Sequence, residues 1–148
     1  MKRNNLISAG SAAVAGVAAV AMASAATPTA LVGTWGKTVT ESTWTKHHVP
    51  GEPGGHFAIA VAGGGVTSMY YGADPTQTKA TIFPFTTMRA TVTGRHVTFS
   101  PTTDGACPGK GSYSWSASGG KLSFTLVKDD CDARRVLMTA GPFVLESR

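Results

Sequence analysis

The chain has 148 residues, a formal net charge of +5 and only 14% charged residues. This length fits one domain with a modest core and makes a second domain unexpected. The basic residues are scattered and form no stripe interleaved with aromatic residues, so the composition argues against nucleic-acid binding.

The first 26 residues have the pattern of a secretory signal peptide. The positively charged start Met1-Lys2-Arg3 precedes an alanine-rich apolar run from Leu6 to Met22 and the small residues Ala23-Ser24-Ala25-Ala26. The run is a poor membrane anchor, and no cysteine follows it that could carry a lipid. We therefore expect residues 27–148 to be a secreted domain with no membrane attachment after cleavage and, without Lys2 and Arg3, a net charge of +3.

The remainder predicts mostly β-structure, because Gly, Thr, Ser and Val are abundant and no window repeats apolar residues at helical spacing. The predicted strands are Leu31 to Thr40, Phe57 to Ala62, Val66 to Tyr71, Lys79 to Phe85, Met88 to Thr93, His96 to Ser100, Gly111 to Ala117, Lys121 to Val127 and Phe143 to Glu146. Glycine turns at 63–65, 93–95 and 118–120 predict hairpins. About eight antiparallel strands joined in this way favour an up-and-down barrel, with a two-sheet sandwich as the alternative.

Two segments between strands are irregular at the sequence level. Residues 46–55 hold two prolines and three glycines, which predicts a loop over one mouth of the barrel. Cys107 and Cys131 bracket the hairpin 111–127, and we expect them to form a disulfide worth about 3 kcal/mol in an exported protein. Residues 129–138 could hold a short helical turn.

Two short motifs carry a resemblance to a known family. Leu31-Val32-Gly33-Thr34-Trp35 resembles the Gly-x-Trp signature of lipocalins and the wider calycin group. The C-terminal pattern of small secreted bacterial lipocalin-like proteins is similar to the set Gly111-x-Tyr113-x-Trp115, Gly119, Leu122, Cys131 and Arg134. The resemblance implies an antiparallel calycin barrel with an apolar interior and no catalytic residues. It also implies a structural Trp35 at the closed end, packed under an arginine, with Arg134, Arg135 or Arg148 as candidates.

The opening motif also resembles that of avidin-type barrels, which continue with a polar residue that helps to bind biotin. This chain has Gly36-Lys37 there and only three tryptophans, so biotin is not expected.

Strand alternation predicts which residues line the interior. The expected lining is Phe57, Ile59, Val61, Met88, Ala90, Val92, Val97, Phe99, Tyr113, Trp115, Leu122, Phe124 and Leu126. Ordinary core packing is the alternative for each of them. Candidate ligand contacts are Met88, Phe99, Tyr113, Trp115 and Phe124 inside the barrel, with Trp44 and Tyr70 at a mouth.

No pattern of metal ligands or catalytic residues is complete. His47, His48 and His56 lie close in sequence but lack a first shell of further ligands, and Asp129, Asp130 and Asp132 lack the ordered spacing of a calcium loop. We found no nucleophile elbow and no framed pair of carboxylates. The sequence therefore predicts no cofactor and gives no basis for an enzymatic activity.

Two functional hypotheses follow. The first is a secreted carrier that binds or sequesters a small apolar or amphipathic molecule inside the barrel. The second is an extracellular protein-interaction module, such as a protease inhibitor, that presents the 46–55 loop. A small barrel enzyme that templates a cyclisation is a third alternative and would need a polar group inside the same cavity.

Overall fold

The computed structural model describes residues 26–72, 83–102 and 107–148. These residues form eight strands and two short helices. In chain order the elements are β1 (Gly33–Val39), α1 (Glu41–Lys46), β2 (Gly55–Val61), β3 (Val66–Gly72), β4 (Phe83–Thr93), β5 (His96–Pro101), β6 (Gly111–Ser118), β7 (Lys121–Asp129), α2 (Asp132–Thr139) and β8 (Phe143–Ser147). All but the last residue of the predicted signal peptide lie outside the described residues.

The strands close into one antiparallel barrel in the order β1 to β8. Each strand pairs with the next along the chain, and β8 returns to pair with β1. The predicted up-and-down barrel is therefore confirmed, and the sandwich alternative is excluded. The turn between β6 and β7 shows why its glycines are needed, because Gly119 and Gly120 have φ values of 56° and 72°.

Two details differ from the sequence prediction. The separate strands expected at 79–85 and 88–93 are one strand, β4, as far as they are described, and residues 79–82 lie outside the description. The strand continues through Pro84. This residue pairs with Tyr70 beside a register shift in the β3–β4 ladder, where the missing proline N–H can be accommodated. Helix α1 was not predicted; Thr40 caps it by accepting a hydrogen bond from Thr43 N at 3.2 Å.

The two ends of the barrel differ. At the hairpin end, where the turns 62–65, 94–95 and 119–120 lie, the N-terminal segment crosses the barrel. Leu31 is buried there, and its carbonyl accepts a hydrogen bond from Trp35 Nε1 at 2.9 Å. At the helix end, α1 follows β1 and α2 follows β7. The hairpin end is thus closed by the chain's own N-terminal segment.

The barrel has a short seam between β7 and β8. These strands pair only at Lys121 with Val144 and at Leu122 with Phe143. Towards the helix end, α2 packs against β7 in place of further strand pairing. The turn between α2 and β8 lies beside β1, because Gly36 of β1 pairs with Val144 of β8.

Cys107 and Cys131 form the predicted disulfide, with their Cα atoms 5.5 Å apart. It joins the segment before β6 to the start of α2. No helix in the described parts of the chain is both long and apolar enough to cross a membrane.

One continuous cluster of buried side chains lines the barrel interior. Buried members on the predicted inward rows are Phe57, Ile59, Val61, Met88, Ala90, Val92, Val97, Phe99, Tyr113, Leu122 and Phe124. Leu126 was expected among them, but it is 42% exposed. It lies where β7 has no β8 neighbour and where a register shift interrupts the β6–β7 pairing, so alternation alone misplaced it.

Candidate functional site

A lysine projects into the apolar interior of the barrel. Lys37 shares the inward row of β1 with Trp35 and Val39, and its strand partner is the buried Phe57. Only 7% of its surface is exposed. Because a lysine is almost never this buried without a partner for its ammonium group, Lys37 is the residue of this barrel that most needs an explanation.

The surroundings of the Lys37 amine are almost wholly uncharged. Nζ donates a hydrogen bond to the carbonyl of Gly141, at 3.2 Å, in the turn that joins α2 to β8. It also lies 4.2 Å from the centre of the Phe143 ring. Within the described residues no carboxylate lies within 4.0 Å of Nζ. Burial lowers the pKa of Lys37 from 10.5 to about 7, so the amine is partly neutral at physiological pH.

Aromatic rings form a wall beside this amine. Phe143 packs edge-on against Phe124 with ring centroids 6.0 Å apart, and Phe124 packs in the same way against Phe99 and Tyr113. These rings come from β5, β6, β7 and β8 and meet in the interior because alternation places one face of each strand inward. A primary amine next to such a wall is the combination that binds molecules with an apolar body and a polar group.

Helix α1 and the loop after it cover the barrel at the helix end. Trp44 of α1 is buried and contacts Phe57 edge-on, at 5.8 Å between ring centroids, and Phe57 contacts Tyr71 at 4.9 Å. Trp44 Nε1 donates to Pro53 O at 3.1 Å, and the Tyr71 hydroxyl donates to Gly54 O at 3.4 Å. The cover therefore contacts the barrel through the Trp44 ring, which packs on Phe57, and through the Tyr71 hydroxyl, whereas the Trp44–Pro53 bond holds α1 to its own loop.

The structure brings most of the predicted ligand contacts to the interior. Met88, Phe99, Tyr113 and Phe124 are buried, and Trp115, on the inward row of β6, is half-buried. Trp115 Nε1 and Thr67 Oγ1 are buried polar atoms without a hydrogen-bond partner among the described residues.

The two residues predicted at a mouth lie in different places. Trp44 is part of the α1 cover. Tyr70 pairs with Ala58 on the row that alternates with Phe57, so the interior position at this level belongs to Tyr71.

A buried ion pair links the disulfide region to β6 and β7. Arg134 binds Asp129 in a bidentate manner, with Nε to Oδ2 at 2.6 Å and Nη2 to Oδ1 at 2.7 Å. Asp129 also accepts hydrogen bonds from the Tyr113 hydroxyl and from Cys131 N. Burial by itself would raise the pKa of Asp129, but the hydrogen bonds from Arg134, Tyr113 and Cys131 outweigh it and lower that pKa. The Tyr113 hydroxyl has a raised pKa, through burial first and its bond to Asp129 second.

This ion pair explains the C-terminal motif in physical terms. Arg134 also donates to Gly109 O at 2.8 Å and to Cys107 O at 3.4 Å, so it holds the chain on both sides of the disulfide. Trp35 Nε1 donates to Leu31 O, and of the three arginines that the resemblance offered as its partner, Arg148 lies at the same end of the barrel, where its Nη1 donates to Thr29 O at 3.3 Å. Arg134 is therefore the centre of a separate structural network, in which its guanidinium group binds Asp129 and two backbone carbonyls.

Gly111 gives a direct test of how tightly this network is packed. A Cβ on Gly111 would lie 2.2 Å from Asp129 Oδ2 and 2.7 Å from Arg134 Nε. We expect Gly111→Ala to lower the free energy of unfolding by about 1–3 kcal/mol, because the buried pair would have to shift. Urea unfolding measures this effect, and Gly64→Ala is the matched control, since a Cβ there meets nothing within 4 Å. Equal stability of the two variants would contradict the packing argument.

The histidines do not form a metal site in the described part of the chain, where no group of three or more potential ligands occurs. His47 and His48 are exposed after α1. His56 Nε2 lies 2.6 Å from Glu146 Oε1 on the outer face of the barrel, above Gly36.

Comparison with known protein families, with curated proteins and with solved structures finds no match. The fold and the site therefore define the class only as a closed, eight-stranded antiparallel barrel with a buried interior lysine.

Sequence reasoning did not single out Lys37 as a candidate. The signal was present, because Trp35, Lys37 and Val39 alternate with Gly36 and Thr38, and this places the lysine on the face of the structural tryptophan. Its position on the strand predicts an inward side chain, but its residue type argued against this, since lysine is ordinarily a surface residue.

Proposed function

We propose that this protein binds a small amphipathic molecule outside the cell, with the polar group of the ligand at Lys37 Nζ and its apolar body against the interior rings. The observation that carries the proposal is the buried Lys37 amine, which among the described residues has one hydrogen-bond acceptor, Gly141 O, and an aromatic neighbour, Phe143. An amine held in an apolar interior costs stability, and such costs are typical of binding sites.

The geometry supports access from the helix end. The hairpin end is crossed by residues 27–32, with Leu31 buried and Trp35 bonded to it. At the helix end the side-chain contacts described between cover and barrel are the hydrogen bond from Tyr71 to Gly54 O and the edge contact of Trp44 with Phe57. Displacing this cover breaks far fewer contacts than opening the strand pairing would.

Secretion is part of the proposal. It rests on the signal-peptide pattern of the first 26 residues and on the Cys107–Cys131 disulfide, which would persist in an oxidising compartment. The lipocalin-like resemblance of the two short motifs supports the same carrier role.

The first experiment is native mass spectrometry of protein purified from its own culture medium. We expect a co-purified small molecule at one per chain. Octanol and octanoic acid are then titrated into the protein while tryptophan fluorescence is followed, because Trp44 lies in the cover. We expect saturable one-to-one binding, weakened about tenfold by Lys37→Met, the value for one lost hydrogen bond.

Lys46→Met is the matched control, since Lys46 is exposed on α1 at the same end of the barrel. It should leave both affinities within about twofold. If neither probe nor any co-purified compound binds, the carrier proposal is wrong. If both probes bind wild type and Lys37→Met equally, Lys37 is not the polar contact.

A specific observation also favours the protein-interaction alternative. Residues 46–48, 50, 51 and 53 are exposed, while Trp44 and Tyr71 hold the flanks of this loop through Pro53 O and Gly54 O. A protruding segment with fixed ends is the form in which many inhibitors present a loop to a protease. Inhibition of a panel of secreted proteases, abolished by cleavage within 46–53, would support this alternative.

A further inference from the structure

We infer that Lys37 binds its ligand covalently, as a reversible imine with an apolar aldehyde. This inference deepens the proposed function and rests on it, because it assigns the ligand class to carbonyl compounds with an apolar body. No acidic residue is needed for it, and none lies within 4.0 Å of Nζ among the described residues.

The position of the Lys37 amine favours attack on a carbonyl group. Nζ is fixed between Gly141 O, at 3.2 Å, and the Phe143 ring, with 4.2 Å to its centre. One acceptor uses only one of the hydrogens of the amine, so the nitrogen lone pair can face the interior when the amine is neutral. The neighbouring buried residues Phe57, Trp35 and Val39 are apolar, so the stem of Lys37 lies in an apolar environment.

The protonation state of Lys37 also favours this reaction. Burial lowers the pKa of Lys37 to about 7. At pH 7 about half of such an amine is neutral, whereas for an ordinary lysine with a pKa of about 10.4 the fraction is roughly one in 2,500. Lysines desolvated in this way are the ones that proteins use as nucleophiles towards carbonyl groups.

The chemical step is balanced without any further reagent. The neutral Nζ attacks the aldehyde carbon, a C–N bond forms as the C=O π bond breaks, and the proton that the nitrogen loses passes to the oxygen to give a carbinolamine. Loss of the hydroxyl group as water then leaves the C=N bond of the imine. The reverse reaction with water releases the aldehyde unchanged, so the chain would act as a carrier or scavenger and not consume its ligand.

The test is reductive trapping of the intact protein with octanal and cyanoborohydride at pH 7. We expect a single adduct whose mass is that of octanal less one oxygen atom, located by peptide mapping on Lys37. Its rate should exceed that of an ordinary exposed lysine by about 1,000-fold, the ratio of the two neutral fractions, and the exposed Lys46 and Lys121 provide the comparison. This comparison is internal to the wild-type chain and does not depend on any variant folding.

Lys37→Arg provides the variant test, since arginine keeps the charge and forms no imine under these conditions. It should bind octanol but give no fast adduct. Octanal that binds in native mass spectrometry, yet labels Lys37 no faster than Lys46 or Lys121, would overturn the imine and leave the carrier role standing. Failure of octanol, octanoic acid and octanal alike to bind would instead remove the carrier role. Fast labelling of Lys37 alone supports the inference.

Discussion

Replacing Arg134 by Met is expected to lower the free energy of unfolding by about 3–5 kcal/mol, one of the two largest effects that we predict for a single side chain. Asp129 is completely buried as a side chain, and its carboxylate would lose both bonds of the bidentate pair. Tyr113 and Cys131 N would remain as donors, but neither carries a positive charge. Urea unfolding at pH 7, with the disulfide intact, measures the loss.

The adjacent arginine is a matched control. Arg135 pairs with Asp132 at 2.7 Å on the surface of α2, with exposed fractions of 41% and 62% for the two side chains. Arg135→Met should therefore cost less than about 1 kcal/mol. The double variant Asp129→Asn with Arg134→Met should recover part of the loss, since no uncompensated carboxylate remains. Equal costs for the two arginine substitutions would show that the buried pair contributes no more than a surface pair.

The stability of the barrel is expected to rise with pH, relative to Lys37→Met, between about pH 7 and pH 10. Below the folded pKa of about 7, Lys37 is charged in both states, and the folded state bears the full cost of burying that charge. Above the unfolded value of about 10.4 it is neutral in both states, and the cost is gone. Between these values the unfolded chain binds more protons, so the free energy of unfolding of the wild type increases with pH.

The measurement is urea unfolding of wild type and Lys37→Met at pH 7 and pH 10. Lys37→Met should be the more stable protein at pH 7, and its advantage should shrink by about 3 kcal/mol at pH 10. Taking the difference between the two proteins removes the other titrating groups. Lys121→Met, at an exposed position at the start of β7, is the matched control for the loss of a lysine side chain. If the free energies of unfolding of wild type and Lys37→Met differ by the same amount at pH 7 and pH 10, the lowered pKa of Lys37 is refuted and the imine inference is weakened.

The local patterns of the sequence predicted the barrel because they are properties of neighbouring residues. Alternation in β2, β5 and β6 placed Phe57, Phe99 and Tyr113 inside, and the Gly119–Gly120 turn required a hairpin. The cysteine pair followed from its place on either side of that hairpin. Alternation failed for Leu126, where the β7–β8 pairing ends, since the number of residues over which two strands pair is not encoded in either strand alone.

By itself, then, the sequence determined the fold class, the hairpin order, the disulfide and the face on which Lys37 lies. Only the tertiary structure decided which groups surround Lys37 on that face. The pairing of β1 with β8 brings Lys37 to Gly141, 104 positions away in the chain, and places the Phe143 ring beside its amine. The partnership of Arg134 with Asp129 and Tyr113 likewise depends on α2 folding back over β7. The physical reason is that alternation and turn propensity are local, whereas burial, and the pKa that it sets, depend on residues brought together by barrel closure.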